Sequence, residues 1–382
     1  MVGRRVFGLD VLRALAVLIV VYSHGELIKG NSSFLNQLYK LNMPIDGVTI
    51  FFVLSGFLIG HILLRAVAHG FFNIRSLFEF WIRRWFRTLP NYFMVLIWVL
   101  ILEYDSLDKY TVIKFIFFLQ NFSYPTPDIF LEAWSLSVEE WFYLLTPLLL
   151  FFFIKIKGLE HKKIILSWIF IVIIFSTFFR VYQAAHIVNF DNHLWDINIR
   201  KEVLTRLDSL MYGVLGAYLN RYHESSWSIW ANKCFIIGII MIFWGASAIS
   251  AVVSHEFFSN YILLTLSPIS ILFLLPKLSA WNDSPILIKN IIVFISKISY
   301  SMYLIHFSLI LLNLLPALVG CLPFYLGNYQ DLVKYLMYWG LTISIAAMFY
   351  RYYEYPMTLL RDKFDFSQVS FAVRKHFTNT AA

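Results

Sequence analysis

Arg13 and His24 stand eleven positions apart inside a run, Gly8 to His24, that is otherwise apolar enough to span a bilayer. At 1.5 Å and about 100° per residue, eleven helical steps place the two side chains about 16 Å apart along the axis and on nearly the same face. A guanidinium is suited to holding anions, and an imidazole can serve as a base or a nucleophile near neutral pH. One stripe of this helix is therefore charged at one end and titratable at the other. Two readings are open. An Arg at the centre of a bilayer costs about 2.5–3.5 kcal/mol, which favours a stripe that faces a wet bundle interior as one wall of a reaction chamber. The blander reading has Arg13 snorkelling to the headgroups and His24 ending the helix at the far interface.

Five further constellations carry candidate groups. Arg83 and Arg87 share a helical face at i, i+4, with Arg84 adjacent and Trp81, Trp85 and Phe86 interleaved, just before Pro90 at the entrance to an apolar run. Three guanidiniums suit a charged, nucleotide-like ligand, and equally suit anionic lipid. In the segment from Ala133 to Pro147, Glu139 and Glu140 are adjacent and cannot share a face. Ser137 and Glu140 have the spacing of a capping box at a helix start, which leaves Glu139 to orient an acceptor hydroxyl or a histidine. Ser299, Tyr303 and His306 recur at i, i+4, i+7, a polar stripe that either glues helices together or lines a pathway. Asp46 precedes a run whose Gly56 and Gly60 invite a close helix neighbour, so Asp46 reads first as an N-cap. His61 and Arg65, at the far end of that run, fit interfacial snorkelling, and Arg351 and Glu354 are spaced to pair at i, i+3.

These groups must be positioned by helices in lipid. Of 382 residues 59% are hydrophobic and only 14% charged, too apolar for a soluble domain. Apolar runs fall at roughly 8–25, 47–64, 91–104, 133–154, 164–182, 206–220, 234–253, 260–276, 292–315 and 333–350, with a short re-entrant piece a possibility at 111–120. The expected fold is all-α and polytopic, with about ten transmembrane helices. Basic residues concentrate on one side if both termini are cytoplasmic, and Arg180 and Arg206 then belong to outer segments. The net charge of +8 is accounted for by this pattern, and with no separate basic domain nucleic acid is not an expected partner. Cys234 and Cys321 fall on opposite sides and form neither a disulfide nor a metal set. Residues 1–360 form the membrane domain and 361–382 a short basic cytoplasmic tail. The basic start before an apolar run carrying Asp10 and Arg13, without a cleavage pattern, reads as a retained helix.

Six segments in order from residue 8 to 356 together resemble the integral membrane acyltransferases of acyltransferase family 3. They are Arg13 and His24 with ten residues between them, Phe51 to Ile59, Arg83 to Pro90, Trp134 to Glu140, Ser299 to His306, and Arg351 to Pro356. Departures are Trp141, where the family often has Gln, and Phe307, where it often has Trp. The resemblance implies a ten-helix enzyme of the bacterial cytoplasmic membrane. Such an enzyme takes an acyl group, usually acetyl, from cytosolic acyl-CoA and delivers it to a hydroxyl of an extracytoplasmic glycan, such as O-antigen or exopolysaccharide, or of a lipid-linked sugar. Some relatives carry an added hydrolase-like domain; the expectation for this chain is transfer on its own or through a separate partner.

Acyl transfer from a thioester needs a base or a nucleophile, so the residues agree with the resemblance. On this reading Arg83, Arg84 and Arg87, assisted by Arg13, hold CoA phosphates, and the thioester reaches toward His24. His24 deprotonates the acceptor or carries the acyl group, and Glu139 fixes the imidazole or places the sugar. Ser299, Tyr303, His306 and Asp46 are candidates to line the substrate pathway. Neither a metal nor a further cofactor is expected. The competing reading is a proton-coupled transporter, against which stands the lack of an internal repeat. Within the enzyme class, another acyl group or a small-molecule acceptor is the alternative.

Overall fold

The computed structural model describes residues 5–40, 43–103, 108–156, 158, 160–187, 192–245, 262–320 and 329–360. The tail at 361–382 and Cys321 lie outside these residues. Helices account for nearly all of the regular structure. The main ones are α1 (Phe7–Gly25), α2 (Gly47–Ala68), α3 (Ile74–Leu102), α4 (Ala133–Phe153), α5 (His161–His186), α6 (Leu207–Tyr222), α7 (Ala231–Ile240), α8 (Leu264–Ser279), α9 (Ile286–Ile305) and α10 (Gln330–Phe349). Among the described residues, seven helical stretches are long and apolar enough to cross a membrane. The chain is a multi-pass membrane protein.

The three remaining apolar runs, at 206–220, 234–253 and 260–276, fall on helices whose described parts are shorter than a full span, with residues 246–261 outside the described residues. The most instructive is α6, 16 residues long, which packs against α2, α5 and α8. A helix surrounded by protein needs no lipid-facing apolar surface, so it can carry the buried Asp208, Ser209 and Tyr212. Its contact with α2 is backbone to backbone. A Cβ at Gly56 would overlap the Leu210 carbonyl, and one at Gly213 would overlap the Val53 carbonyl. The expected small-residue packing of α2 is thus present. Gly56→Val should force α2 and α6 apart at a cost of about 1–3 kcal/mol, read as a lower thermal midpoint in detergent.

Three local expectations are corrected. The arginine cluster does not precede its helix: α3 begins at Ile74, with a capping box between Asn73 and Ser76, and runs through Pro90. Neighbouring segments bond the backbone on either side of it. Tyr300 Oη donates to the Thr88 carbonyl (2.9 Å) and Tyr353 Oη to the Pro90 carbonyl (3.2 Å). The capping box proposed at Ser137 and Glu140 does not form, because α4 starts four residues earlier and both positions are already inside the helical ladder. Ser137 Oγ accepts from Gln120 Nε2, and Glu140 Oε1 accepts from Thr88 Oγ1 at 2.6 Å. Arg351 and Glu354 do not pair, because the backbone is π-helical from Tyr350 to Glu354 and the wider turn changes which residues face each other. Glu354 instead accepts from Ser301 Oγ on α9. The possible re-entrant piece at 111–120 is a short helix, Lys109–Ile116, ending in a turn with Phe118 at φ 56.

Arg180 and Arg206, assigned from sequence to outer segments, are fully buried. Arg180 is in α5. Its Nη2 bonds Asp208 Oδ2 on α6, its Nη1 donates to Thr265 Oγ1 (2.9 Å), and its Nε and Nη2 donate to the Thr205 carbonyl (3.3 and 3.1 Å). Arg206 donates from Nη2 to Thr49 Oγ1 at 3.0 Å, with its guanidinium carbon 5.5 Å from the Phe52 ring centre.

Candidate active site

Two cavities meet inside the bundle. The larger, about 780 Å³, is a vestibule lined at one end by Arg5, His61, Arg65 and Arg221. The smaller, about 90 Å³, is a throat lined by Ser55, Ser135, Glu139, Tyr143 and Tyr303 among apolar side chains. Arg13, Leu58, Arg84, Arg87, Ser299 and Tyr300 line both, so the two spaces are continuous at this level. His61 and Arg65 therefore face the vestibule, which snorkelling alone did not foresee.

The helices aim cations at the junction. Arg13, on the α1 face packed against α9, donates from Nη1 to Asp10 Oδ1 (3.3 Å) and Ser296 Oγ (3.2 Å). Asp10 also accepts from Arg5 Nε (2.5 Å) and Ser296 Oγ (2.8 Å), so one buried carboxylate organises two guanidiniums. On α3 the pair turned to the cavity is Arg84 and Arg87, at i, i+3. Arg83 is exposed and lines neither space. The face chosen from periodicity, Arg83 with Arg87, is therefore one position out of register for Arg83. Helix rotation decides it: Thr88 is held against Glu140 on α4, which carries Arg84 inward. Among the described residues neither Arg84 nor Arg87 has a carboxylate at salt-bridge distance; Arg84 lies 5.9 and 5.7 Å from the Phe80 and Tyr143 ring centres. Two guanidiniums lining a cavity with no carboxylate at salt-bridge distance, Glu139 sharing the throat with them, suit an anionic ligand.

Glu139 is in the throat wall, where it accepts from Tyr143 Oη at 3.0 Å; that phenol is also 2.6 Å from Ser55 Oγ. It makes no bond to His24. The residue that meets His24 is His306, whose Nε2 is 2.8 Å from His24 Nδ1, with ring centres 4.9 Å apart. His306 Nδ1 is 2.7 Å from the Tyr303 carbonyl. Tyr303 and Ser299 do line the throat, and the Tyr303 phenol is 2.6 Å from Ser135 Oγ and donates to the Glu132 carbonyl at 2.9 Å. His24 lines neither cavity: it is joined to the throat wall through His306 and Tyr303. The Arg13 and His24 stripe thus runs from the cavity junction to the histidine pair.

Asp46 is not in the cavity wall. It caps α2, accepting from the Val48 N–H at 3.0 Å, and meets Arg200 Nη1 at 3.4 Å. Arg200 stands 5.2 Å from the Trp134 ring centre and, with Lys201, pairs with Asp196. Burial pushes the Asp196 carboxyl up, but Arg200 and Lys201 outweigh it and hold it below the usual carboxylate range. Among the described residues no three His, Cys, Asp or Glu side chains stand together as a metal set.

The sequence profile of the acyltransferase domain of family 3 matches residues 6–351, which takes in the whole lining of the throat and every vestibule side chain named above except Arg5. The chain belongs to acyltransferase family 3. A Staphylococcus aureus (strain COL) family relative named "Putative O-acetyltransferase" is 28% identical over 383 residues, covering 92% of this chain and 57% of its own length. The Listeria monocytogenes "Peptidoglycan O-acetyltransferase OatA" is 32% identical over 178 residues, 42% of this chain and 26% of its own. The family 3 chain described here spans a little over half the length of the first of these. No solved structure matches it.

Sequence reasoning did not find Asp10 as the organiser of Arg13, nor His306 as the partner of His24. Asp10 carried a signal, since a carboxylate three positions before an arginine on one helix can pair with it. The histidine pairing joins residues 282 positions apart and had no local signal.

Proposed function

We propose that the chain is a membrane O-acyltransferase that takes an acetyl group from acetyl-CoA at its basic face and passes it to a hydroxyl of a cell-surface glycan at the other. The observation that carries this reading is the vestibule that narrows, at Arg13, Arg84 and Arg87, into a throat whose wall residue Tyr303 is linked through His306 to His24. A CoA donor has its phosphates and its reacting carbonyl at opposite ends of a long flexible arm, which suits a wide cationic entrance followed by a narrow channel. The positive-inside rule makes the Arg65 and Arg221 end cytoplasmic, where acyl-CoA is made. The names of the relatives support acetyl as the group, and peptidoglycan or a comparable cell-wall polymer in the cytoplasmic membrane's outer environment as the acceptor.

In this scheme Arg84 and Arg87 hold the donor phosphates, with Arg13 at the junction. His24 provides the base or nucleophile on the acceptor side. Glu139 stays in the throat wall with Tyr143, where it can position the arm of the donor. Charge-assisted hydrogen bonds are worth about 1.5–3 kcal/mol each, or about 10- to 100-fold in affinity. Arg84→Gln and Arg87→Gln should each raise KM for acetyl-CoA by at least about tenfold with a smaller change in kcat, whereas Arg83→Gln should leave both within about twofold.

The test is transfer of labelled acetyl from acetyl-CoA into extracytoplasmic glycan by membranes carrying the wild-type chain. Label in glycan that depends on the chain supports the reading. Its failure with acetyl-CoA, while other acyl-CoAs label glycan, moves the assignment to another acyl group. Failure with every acyl-CoA overturns it.

A further inference from the structure

The hydrogen bonds at the histidine pair have a forced direction. A carbonyl oxygen only accepts, so His306 Nδ1, 2.7 Å from the Tyr303 carbonyl, must carry the hydrogen. In a neutral ring the other nitrogen, Nε2, then holds the lone pair and accepts. The atom it faces at 2.8 Å is His24 Nδ1, which must be the donor. That leaves His24 Nε2 unprotonated. We propose that His306 is a positioning residue that holds His24 in the tautomer with its hydrogen on Nδ1 and its lone pair on Nε2, the form that can take a proton or attack a carbonyl. The proposal rests on the reading of His24 as base or nucleophile given above.

The surroundings fix each link. His306 is fully buried, and from His306 to Leu314 the backbone is π-helical, a wider winding that turns the ring out of the α-helical register. Glu132 ties that turn in place: its carboxylate accepts from the Ser308 N–H at 3.1 Å and from the Ser308 hydroxyl. The Tyr303 phenol, bonded to Ser135 and to the Glu132 backbone, anchors the residue whose carbonyl begins the chain. The Phe307 ring, its centre 4.5 Å from that of His24, limits how the His24 ring can turn.

The consequence for transfer is direct. As the acceptor hydroxyl gives its proton to His24 Nε2, its oxygen pair forms the bond to the thioester carbonyl carbon. Collapse of the tetrahedral adduct breaks the C–S bond, the pair leaves on sulfur, and the sulfur takes the proton back from Nε2. His24 is an imidazolium in between, and its Nδ1–H already has a neutral acceptor in His306 Nε2. Without that acceptor His24 loses a partner that favours the hydrogen on Nδ1, and the share of rings with a free Nε2 lone pair falls.

Partners of this kind are typically worth 10- to 100-fold in activity. His306→Phe should lower kcat about 100-fold with KM for acetyl-CoA within about twofold, because His306 lines neither cavity. His306→Gln, whose Oε1 can accept from His24 Nδ1, should recover to within about tenfold of wild type. A merely structural residue would show no such recovery, or would move KM with kcat. The tautomer is read without activity by solid-state ¹⁵N spectra of ring-labelled protein in lipid bilayers, with His24 assigned by difference from His24→Ala. Wild type should show protonated Nδ1 and bare Nε2 at His24, and His306→Phe should lose that preference. A protonated Nε2 in wild type, or His306→Phe with wild-type kcat, overturns the proposal. If the expected tautomer is seen while wild type transfers no acyl group, the hydrogen-bond assignment stands and the acyltransferase reading falls.

Discussion

His24→Ala should reduce acetyl transfer by about 10³-fold or more at saturating acetyl-CoA, with donor binding nearly unchanged. A positioned base contributes about 10² to 10⁴ to a proton-transfer step, and a lost nucleophile costs at least as much. His24 stands outside both cavities, so its removal takes away no contact with a donor held at Arg84 and Arg87. A fall in kcat and in kcat/KM by the same factor marks an interaction made only in the transition state. The measurement compares membranes matched for expression, with labelled acetyl-CoA as donor and glycan-bound label as product. Equal labelling by wild type and variant would remove His24 from the chemistry. Quenching wild type in the absence of acceptor separates the two roles: label that stays on the chain and is lost in His24→Ala marks an acyl-imidazole, and its absence marks a base.

The second large effect concerns folding. Asp208→Ala should destabilise the bundle by about 3–5 kcal/mol, because it leaves the fully buried Arg180 without its counter-charge. The loss should appear as a lower thermal midpoint and poorer recovery of monodisperse protein in detergent. Asp208→Asn, which keeps a hydrogen-bond acceptor, should lose less. The double variant Arg180→Leu with Asp208→Ala should recover part of the loss, since no uncompensated charge then remains. If Asp208→Ala alone is as stable as wild type, the pair does not hold α5 to α6. KM for acetyl-CoA in any variant that folds should be unchanged, as neither residue lines the cavities.

These two expectations differ in how far the sequence alone leads to them. Lipid leaves little choice of backbone structure, so apolar runs near 20 residues state the helices directly, and among the described residues seven helical stretches are long enough to span. The periodicity of α1 alone placed Arg13 and His24 on one stripe. The expense of an arginine in lipid made a protein-facing stripe one of two readings beside snorkelling, and the spacing of Gly56 and Gly60 marked a close helix contact. Family membership was legible in six short segments, five of which set polar groups into surroundings where lipid would otherwise exclude them.

What the sequence could not state was which face of each helix turns inward and where polar ladders begin. Arg83 and Arg87 share a face on paper, but the bond from Thr88 to Glu140 rotates α3 so that Arg84 joins Arg87 in the cavity wall. Ser137 and Glu140 have the spacing of a cap, yet α4 starts at Ala133 and both are spent on neighbouring segments. Arg180 and Arg206 looked like outer basic residues, because a count of charges cannot see that Asp208 and Thr49 wait for them inside. The pairing of His24 with His306 depends on α1 lying against α9 and on the π-helical turn at His306, both products of packing between distant segments. Local composition sets what a helix can bury; only the neighbours that surround it decide which of its polar groups meet.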